Sequence, residues 1–468
     1  MHYPWWYVPY ATSPMLIAAI SVLHVLVSHY AVGGGFFLAM ETRYAYRQDN
    51  RDYLAYLRKH ARFFILLTVV YGAITGVGIW WTIGLASPLA TAVLIRTFVF
   101  GWAVEYVAFV VELIAAFIFY YYWGRLPEKT HQRMAWIYAW AAWASLVLIT
   151  GITGFMLHPG RWIETRSFWD GLLNPQFIPQ VISRTGGALL LSSLYVYLHA
   201  ALVIKDRGLR DLIESRSARP ALLGAVLITI GGAAWFLTMP ESARSVLSTA
   251  AVLNVFAAIL FAVTAAVFLF LYFGPYRNPG WLTPGFAIAL FLFGLVAMTT
   301  GEFIREAVRK PYVIYNVVFG NQILVEEAIP FREQGYLESG TWTRAHVEQN
   351  YPELMVDGKI DERRMLSLDR QDRIALGEVL FQYHCNDCHA GHEGYSAAGR
   401  QLQGRPRELI QTLVEHLDEV HFFMPPWCGT REEAAVLTEY LEEIAPPRPK
   451  WMFPRASQPE GLSEVGMQ

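Results

Sequence analysis

Long apolar runs, separated by short polar connections, occupy the first two thirds of the chain. A helix needs about 20 mostly apolar residues to cross a bilayer, and eight stretches reach that length. They lie near residues 13–40, 63–86, 91–123, 134–157, 181–204, 220–239, 248–274 and 282–306. The pattern predicts an all-α, polytopic membrane helix bundle over residues 1–310. The third stretch is long enough to tilt or protrude.

Basic residues are distributed unevenly between the connections. The connections after spans one, three, five and seven hold most of them: Arg43, Arg47, Arg51, Arg58, Lys59, Arg62, Arg125, Lys129, Arg133, Lys205, Arg207, Arg210, Arg216, Arg219 and Arg277. The N-terminal segment and the other connections hold only Arg161, Arg166 and Arg244. Basic connections stay on the cytoplasmic side, so we expect the N-terminus outside. Eight spans return the C-terminus to the same side.

The chain becomes polar after residue 310. Residues 311–365 are predicted to form a connector, residues 366–446 a small all-α soluble domain, and residues 447–468 a Pro-rich, poorly ordered tail. Apolar positions between 373 and 383 recur at helical spacing. Thr430 and Glu433 form a capping box that opens a second helix. These two helices flank the stretch that carries the most specific chemistry of the chain.

That chemistry lies in the motif CNDCH at residues 385–389. The thiols of Cys385 and Cys388 have the spacing that adds to the two vinyl groups of one haem, and His389 then coordinates the iron. Met424, in the stretch HFFMPPW, follows the motif at the distance where the second axial ligand is expected and is predicted to be that ligand. A thioether is the usual partner of His in cytochromes c and raises the reduction potential of the haem. His416 and His421 are the alternative ligands.

A zinc site is the other interpretation of this motif. A structural zinc ion takes four N or S ligands, and the only further cysteine is Cys428. We therefore expect one covalent haem c, in the plan of a small monohaem cytochrome c. Haem c is attached on the outer side of bacterial membranes, which agrees with the orientation from the basic residues.

The composition agrees with a membrane protein. Hydrophobic residues make up 54% of the chain and charged residues 16%, far from the proportions of a soluble domain. The formal net charge of −2 predicts no nucleic-acid partner. We expect a multi-pass protein of the bacterial inner membrane, with the N-terminus and the cytochrome c domain on the periplasmic side.

Ionisable residues within the spans are functional candidates, because each is costly in hydrocarbon. Glu105 and Glu112 on span three are seven residues apart and share nearly one helical face. The others are His24 and His29 on span one, and Glu302, Arg305, Glu306 and Arg309 at the end of span eight. The alternative interpretation is structural: hydrogen-bonded residues within spans one and three, and a solvated ion-pair cluster on span eight.

Several motifs, in order and spacing, resemble subunit I of the cytochrome bd quinol oxidases over about residues 10–320. They are LHV at 23–25, METRY at 40–44, GAITG at 72–76, the paired Glu of span three, WGRL at 123–126, GFMLHP at 154–159, LNP at 173–175 and GEFIREAVRKPY at 301–312. The resemblance implies a membrane haem protein of a respiratory electron-transfer chain, an oxidoreductase that works beside a second membrane subunit. That partner is a subunit II-like chain or a homologous subunit I-like chain.

Carried over to this sequence, the resemblance implies two haems, haem b or haem d, in the membrane domain. His24 would ligate one haem of the oxygen site, with His29 as the fallback, and Glu306 would ligate the other. Glu105 and Glu112 would be the catalytic acidic residues beside them. The glutamates are spaced one residue closer than in the family, and His24 lies one residue closer to METRY.

The chain also departs from the family. Residues 181–186 lack the His that ligates a low-spin haem b, Asn254 stands where its Met is expected, and His199 lies at the opposite end of span five. The sequence MPESA at 239–243 leads almost directly into span seven, without the long quinol loop. Low-spin haem and quinol site are therefore expected to be absent together.

These departures predict an oxidase that takes electrons through the periplasmic haem c rather than from quinol. The expected donor is a soluble or membrane-bound cytochrome c or another periplasmic carrier, and the expected acceptor is oxygen, reduced to water. One alternative is a subunit that relays electrons between membrane haems or partner cofactors and a soluble cytochrome c, without oxygen chemistry. Another is a structural relic with one working haem c.

Overall fold

The computed structural model describes residues 6–446, of which 76% are helical. The chain folds into two compact units. The membrane unit comprises residues 13–328 and 421–425, and the C-terminal unit comprises residues 6–12, 329–420 and 426–446. The predicted fold class, an all-α bundle of about eight spans, is confirmed.

Within the described residues, eight helices of the membrane unit are long and apolar enough to cross a bilayer. Spans one to eight are Ser13–Arg47, Arg51–Ala86, Val99–Tyr121, Glu128–Phe155, Phe177–Val203, Arg207–Leu237, Ala251–Tyr276 and Pro284–Ala307. Span two contains a π-helical turn at Leu66–Tyr71, and span seven ends in one at Tyr272–Tyr276. The chain is a multi-pass membrane protein.

The predicted third stretch, 91–123, is two helices rather than one long span. Helix Pro88–Thr97 ends at Phe98, whose φ of −118° and ψ of 28° lie outside the helical region. The Phe98 ring is fully buried, with its centroid 5.0 Å from that of Phe155 and 6.0 Å from that of Phe168. Burying this ring redirects the chain directly after the polar residues Arg96 and Thr97.

Spans five and six are in backbone contact. A Cβ atom on Gly186 would lie 2.6 Å from the carbonyl oxygen of Gly224, and one on Gly231 would lie 2.5 Å from the backbone nitrogen of Ser183. Small residues allow transmembrane helices to approach this closely. No side chain larger than hydrogen fits at these points without displacing the helices.

Short elements complete the membrane unit. They are helices Trp162–Thr165, Phe168–Leu172 and Glu241–Thr249, the antiparallel strands Tyr312–Ile314 and Val318–Phe319, and a 3-10 turn at Val325–Glu327. Helix Glu241–Thr249 takes up most of the connection between spans six and seven.

The C-terminal unit is built on two crossing helices, Arg370–His384 and Arg431–Ile444. A Cβ atom on Gly377 would lie 2.6 Å from the carbonyl oxygen of Val436, so the helices touch through their backbones. The predicted capping box is confirmed, because Thr430 and Glu433 exchange side-chain to backbone hydrogen bonds.

Smaller elements surround these two helices in the same unit. The helices are Ala328–Gln334, Tyr336–Ser339, Thr343–Asn350, Glu362–Ser367, Ala398–Gln401, Arg407–Glu415 and Leu417–Val420, with a 3-10 turn at Pro352–Leu354 and paired strands Met355–Val356 and Lys359–Ile360. Residues 329–365, within the predicted connector, thus pack in this unit. The predicted tail, 447–468, lies outside the described residues.

Candidate functional site

The CNDCH motif forms a tight turn at the end of a helix. Helix Arg370–His384 ends at Cys385, and the backbone N–H groups of Cys388 and His389 donate to the Cys385 carbonyl oxygen at 3.1 and 3.0 Å. Burial, with the neighbouring Cys388 thiol, raises the pKa of Cys385 to about 12, so this thiol is protonated at neutral pH. Neither cysteine of the motif forms a disulfide.

The ring of His389 is held in one tautomer. Its Nδ1 atom lies 2.7 Å from the carbonyl oxygen of Ser396. A carbonyl oxygen only accepts, so Nδ1 carries the hydrogen and the lone pair is on Nε2. Metal-ligating histidines are commonly oriented in this way, so Cys385, Cys388 and His389 fit haem c.

The zinc interpretation lacks a ligand set. Among residues 6–446, no group of three or more His, Cys, Asp or Glu side chains is arranged to hold a metal ion. Cys428 is buried, and its thiol lies 3.4 Å from the carbonyl oxygen of Pro426. A haem iron requires only two axial protein ligands, so this arrangement is compatible with haem.

The predicted second ligand lies in a turn, where the Met424 N–H donates to the His421 carbonyl oxygen at 2.8 Å. Residues 421–425, which include Met424, belong to the membrane unit. The alternative ligands have other partners: His416 Nδ1 lies 3.3 Å from a carboxylate oxygen of Glu419, and the ring of His421 stacks on Phe423 at 5.4 Å. Ligation by Met424 stays a prediction.

His24 on span one is held by the GAITG motif of span two. Its Nδ1 atom lies 3.1 Å from the hydroxyl of Thr75, which donates its own hydrogen to the Tyr71 carbonyl oxygen at 2.9 Å. Nδ1 must therefore be the donor, which leaves the lone pair on Nε2. A Cβ atom at Gly76 would lie 3.2 Å from Cε1 of His24, so the glycine makes room for the ring. His24 is thus oriented as an iron ligand requires.

His29 has the same tautomer but faces span five. Its Nδ1 atom donates to the Val25 carbonyl oxygen at 3.0 Å. A Cβ atom on Gly187 would lie 3.2 Å from Cδ2 of the ring. Arg184 and Glu302 lie within electrostatic range of His29. His29, the alternative ligand, therefore also has its lone pair on Nε2, and charged side chains lie near its ring.

Both predicted acidic residues of span three face span four. The hydroxyl of Ser145 donates to Glu105 at 2.7 Å, and the hydroxyl of Tyr138 donates to Glu112 at 2.9 Å. Each carboxylate therefore lies beside a hydroxyl group inside the apolar bundle. Such pairs can hold a proton or pass it on.

The acidic and basic residues at the end of span eight form two ion pairs. The Arg305 guanidinium donates to Glu302 at 2.9 Å, and Arg309 donates to Glu306. Arg309 is buried and the other three side chains are half-buried: exposed side-chain fractions are 24% for Arg305, 17% for Glu302, 4% for Arg309 and 26% for Glu306. The stretch therefore forms ion pairs, as the alternative interpretation expects, and ligation of a haem by Glu306 stays a prediction. If Glu306 ligates a haem iron, its carboxylate must do so while it accepts the hydrogen bond from Arg309.

Thr75, Tyr138 and Ser145 were not predicted as site residues. Two of them leave a signal in the sequence, because Tyr138 and Ser145 on span four are seven apart, like Glu105 and Glu112 on span three. Equal spacings on adjacent antiparallel helices bring the pairs into register. Thr75 lies within GAITG, one of the motifs that resemble the family, but its partner His24 is 51 residues away in the sequence.

Comparison with known proteins supports the family resemblance and the fold. Residues 13–235, just under half of the chain, match the family model of cytochrome bd terminal oxidase subunit I. The chain is also similar to the structure of bd oxidase from Geobacillus thermodenitrificans, with a TM-score of 0.55 and 17% identity over 64% of this chain and 87% of that chain. A comparison with curated proteins finds no match. The chain therefore has a bd oxidase-like fold, and its residues 13–235 are similar to the cytochrome bd terminal oxidase subunit I family.

Proposed function

We propose that the protein is a respiratory oxidoreductase that takes electrons through haem c and reduces oxygen to water at a membrane haem pair. The observation that carries the proposal is the orientation of His24 by Thr75 within the bundle that also holds Glu105 and Glu112. Haem bound there would supply the electron transfer and the oxygen chemistry. The protein would supply an axial nitrogen and acidic groups.

Each of these side chains has a defined part in that chemistry. His24, with its lone pair on Nε2, would hold one haem iron, and Glu306 would hold the other through the oxygen that does not face Arg309. Glu105 and Glu112 would store protons and release them toward the reacting oxygen, since a carboxyl group beside a hydroxyl is a suitable proton donor. Cys385, Cys388 and His389 would hold haem c.

Two features support electron input through haem c instead of quinol. Helix Glu241–Thr249 fills the connection between spans six and seven, where the family resemblance implies a long quinol-binding loop. Asn254, which stands where the resemblance places the Met ligand of the low-spin haem, donates its side-chain amide to the Ser248 carbonyl oxygen at 3.1 Å. Both features fit an enzyme without the low-spin haem and quinol site.

We place the protein in the bacterial inner membrane, with the haem c unit on the periplasmic side. A soluble or membrane-bound cytochrome c, or another periplasmic carrier, would donate the electrons. A second membrane subunit, similar to bd subunit II or to subunit I itself, would complete the assembly.

A second candidate function is electron transfer without oxygen chemistry. The specific observation in its favour is the ion pair of Glu306 with the buried Arg309, because a carboxylate engaged by an arginine is a weaker iron ligand. In that case the membrane haems would relay electrons between a partner's cofactors and a soluble cytochrome c.

Carbon monoxide separates the two candidates. An oxygen-reducing iron must keep an open position, so the purified, dithionite-reduced protein should contain non-covalent haem that binds carbon monoxide. His24→Ala should abolish that signal and leave the haem c band intact. The control is His131→Ala, which removes a buried ring whose two nitrogens contact Tyr46 and the Phe119 carbonyl oxygen.

The outcomes are distinct. Loss of the signal in His29→Ala instead of His24→Ala would assign the iron to the fallback ligand. The oxidase proposal would be overturned, and electron transfer favoured, by a wild-type spectrum that shows only six-coordinate haems and does not change when carbon monoxide is added. Equal losses in His24→Ala and His131→Ala would indicate a folding defect, so folded yield is measured for each variant.

A further inference from the structure

We propose that a defined chain of side chains carries protons from the basic end of the bundle to Glu112. In order, its groups are His199, His60, Tyr30, Tyr138 and Glu112. The inference deepens the proposed function, since oxygen reduction consumes protons. All five residues belong to the membrane unit.

The path begins at a pair of histidines. His199 on span five is half-buried and lies within electrostatic range of the exposed Lys59. Its Nδ1 atom is 3.2 Å from Nδ1 of His60, which is fully buried. Two ring nitrogens at this distance share one hydrogen, so one ring donates and the other accepts. His199 can take up a proton from water and offer it to His60.

His60 connects the pair to a buried tyrosine. Its second nitrogen, Nε2, lies 3.0 Å from the hydroxyl of Tyr30, whose side chain is fully buried. The ring of Tyr30 stacks on Tyr195 at 4.1 Å, which holds the hydroxyl in place. Because both nitrogens of His60 have hydrogen-bond partners, the ring can accept a proton at Nδ1 and release one from Nε2.

The next step leads from Tyr30 to Tyr138. The rings of both tyrosines pack on Phe64, with centroids 5.1 and 5.4 Å from it. We assign this transfer to a bridging water, which accepts a proton from one hydroxyl as it donates to the other. Thr68 lies within hydrogen-bond reach of Tyr138 and can help to hold that water.

Tyr138 delivers the proton to the candidate oxygen site. Its hydroxyl donates to Oε1 of Glu112 at 2.9 Å. Each relay group gains one proton and loses one, so none changes its charge after a complete transfer, and the proton leaves through Glu112. Glu105 lies within electrostatic range of Glu112 and is the next acid on the same helix face.

A structural role is the competing explanation, because buried polar groups are normally hydrogen-bonded whatever their function. A structural role does not require that these polar groups follow one another along a route toward the candidate oxygen site. Hydrogen bonds lead from the half-buried His199 to Tyr30 and from Tyr138 to Glu112, and the two segments meet where both tyrosine rings pack on Phe64. The path uses residues on spans one to five, which are far apart in the sequence.

Proton exchange at Glu112 tests the path without requiring oxygen reduction. In purified, haem-loaded protein transferred to D2O, the carboxyl stretch lost in Glu112→Gln is followed by infrared spectroscopy. Tyr30→Phe and His60→Phe keep an aromatic ring and remove the relay atoms. The control is Tyr197→Phe, which removes a buried hydroxyl that donates to the Glu214 carbonyl oxygen, off the path.

We expect exchange to slow at least tenfold in Tyr30→Phe and His60→Phe and to stay at the wild-type rate in Tyr197→Phe. The carbon monoxide spectrum should be unchanged in all three. Wild-type exchange rates in both relay variants would overturn the path, even if the protein reduces oxygen. Slowed exchange in a protein that does not reduce oxygen would support the path and refute the proposed function.

Discussion

The hydroxyl of Tyr336 accepts a hydrogen bond from the backbone N–H of Cys428 at 3.1 Å, although 92 residues separate the two. The same hydroxyl contacts Nδ1 of His384, the residue before Cys385. Tyr336 is fully buried, with its ring 4.9 Å from that of Trp427. One side chain therefore connects the segment before residue 366 to the residue that precedes the CNDCH motif and to the later segment around Cys428.

Tyr336→Phe should destabilise the C-terminal unit, because phenylalanine keeps the ring and leaves the buried N–H of Cys428 without its acceptor. An unpaired buried donor costs about 1–3 kcal/mol. The thermal unfolding midpoint, followed by haem c absorption, should fall by several degrees. Tyr395→Phe, at a side chain that is 44% exposed, is the control. Equal midpoints in the two variants would contradict the assigned role.

Glu433 should make the stability of this unit depend on pH. Its buried carboxylate accepts hydrogen bonds from the N–H groups of Tyr336 and Leu337 at 2.8 and 2.7 Å. Burial raises its pKa from 4.5 to about 7, against the opposite effect of these groups. Stability from a raised pKa is fully present below the unfolded value and lost as pH rises through the folded one. We therefore expect a lower unfolding midpoint at about pH 8 than at about pH 5.

Glu433→Gln should flatten that dependence, because an amide does not titrate. Glu439→Gln, on the same helix, is the matched control. Hydrogen bonds from Arg407 and Arg373 lower the pKa of Glu439 although burial raises it, so its contribution is lost as pH falls instead. A decline toward high pH that survives Glu433→Gln would refute the assignment.

The bundle could be predicted from the sequence because a run of about 20 apolar residues is typical of a membrane-spanning helix. The break within the third stretch was not predicted, although the polar residues Arg96 and Thr97 stand beside it. Phe98 ends a helix because its ring packs against Phe155 and Phe168, and the three residues lie in separate parts of the sequence. A hydropathy profile records the apolar character of Phe98 but not the contacts that redirect the chain.

The candidate site could be predicted only in part for the same reason. Ionisable residues stand out against an apolar span, so Glu105 and Glu112 are visible in the sequence. Their partners Ser145 and Tyr138 are ordinary span residues, and they become significant only when spans three and four are in contact. The tautomer of His24 likewise depends on a hydroxyl from another helix.

Met424→Ala should lower the potential of haem c while the haem stays covalently bound through Cys385 and Cys388. A thioether ligand raises the potential, so its loss should lower it by on the order of 0.1 V, within the range that axial ligands set. Redox titration of the purified protein measures the change. An unchanged potential would exclude Met424, and His416→Ala and His421→Ala would then identify the ligand.

The proposed orientation rests on the basic residues and the even number of spans and can be tested directly. A reporter that is active only in the periplasm should be active when fused after residue 446 and inactive when fused at Asp49. A cytoplasmic reporter at the same two positions should give the opposite pattern. Reversed activities would refute both the orientation and the haem c assignment, because haem c is attached on the outer side.

Thr75→Val tests whether the GAITG motif serves the haem ligand. Valine keeps the shape of threonine and removes the hydroxyl that receives the hydrogen of His24 Nδ1. Loss of such an orienting partner typically costs 10–100-fold in metal affinity, so binding of the carbon monoxide-reactive haem should weaken about 10–100-fold. Thr82→Val is the matched control on the same span, because the Thr82 hydroxyl donates to the Gly78 carbonyl oxygen of its own helix. If the two variants lose haem equally, the effect comes from helix packing and His24 is not the ligand that Thr75 orients.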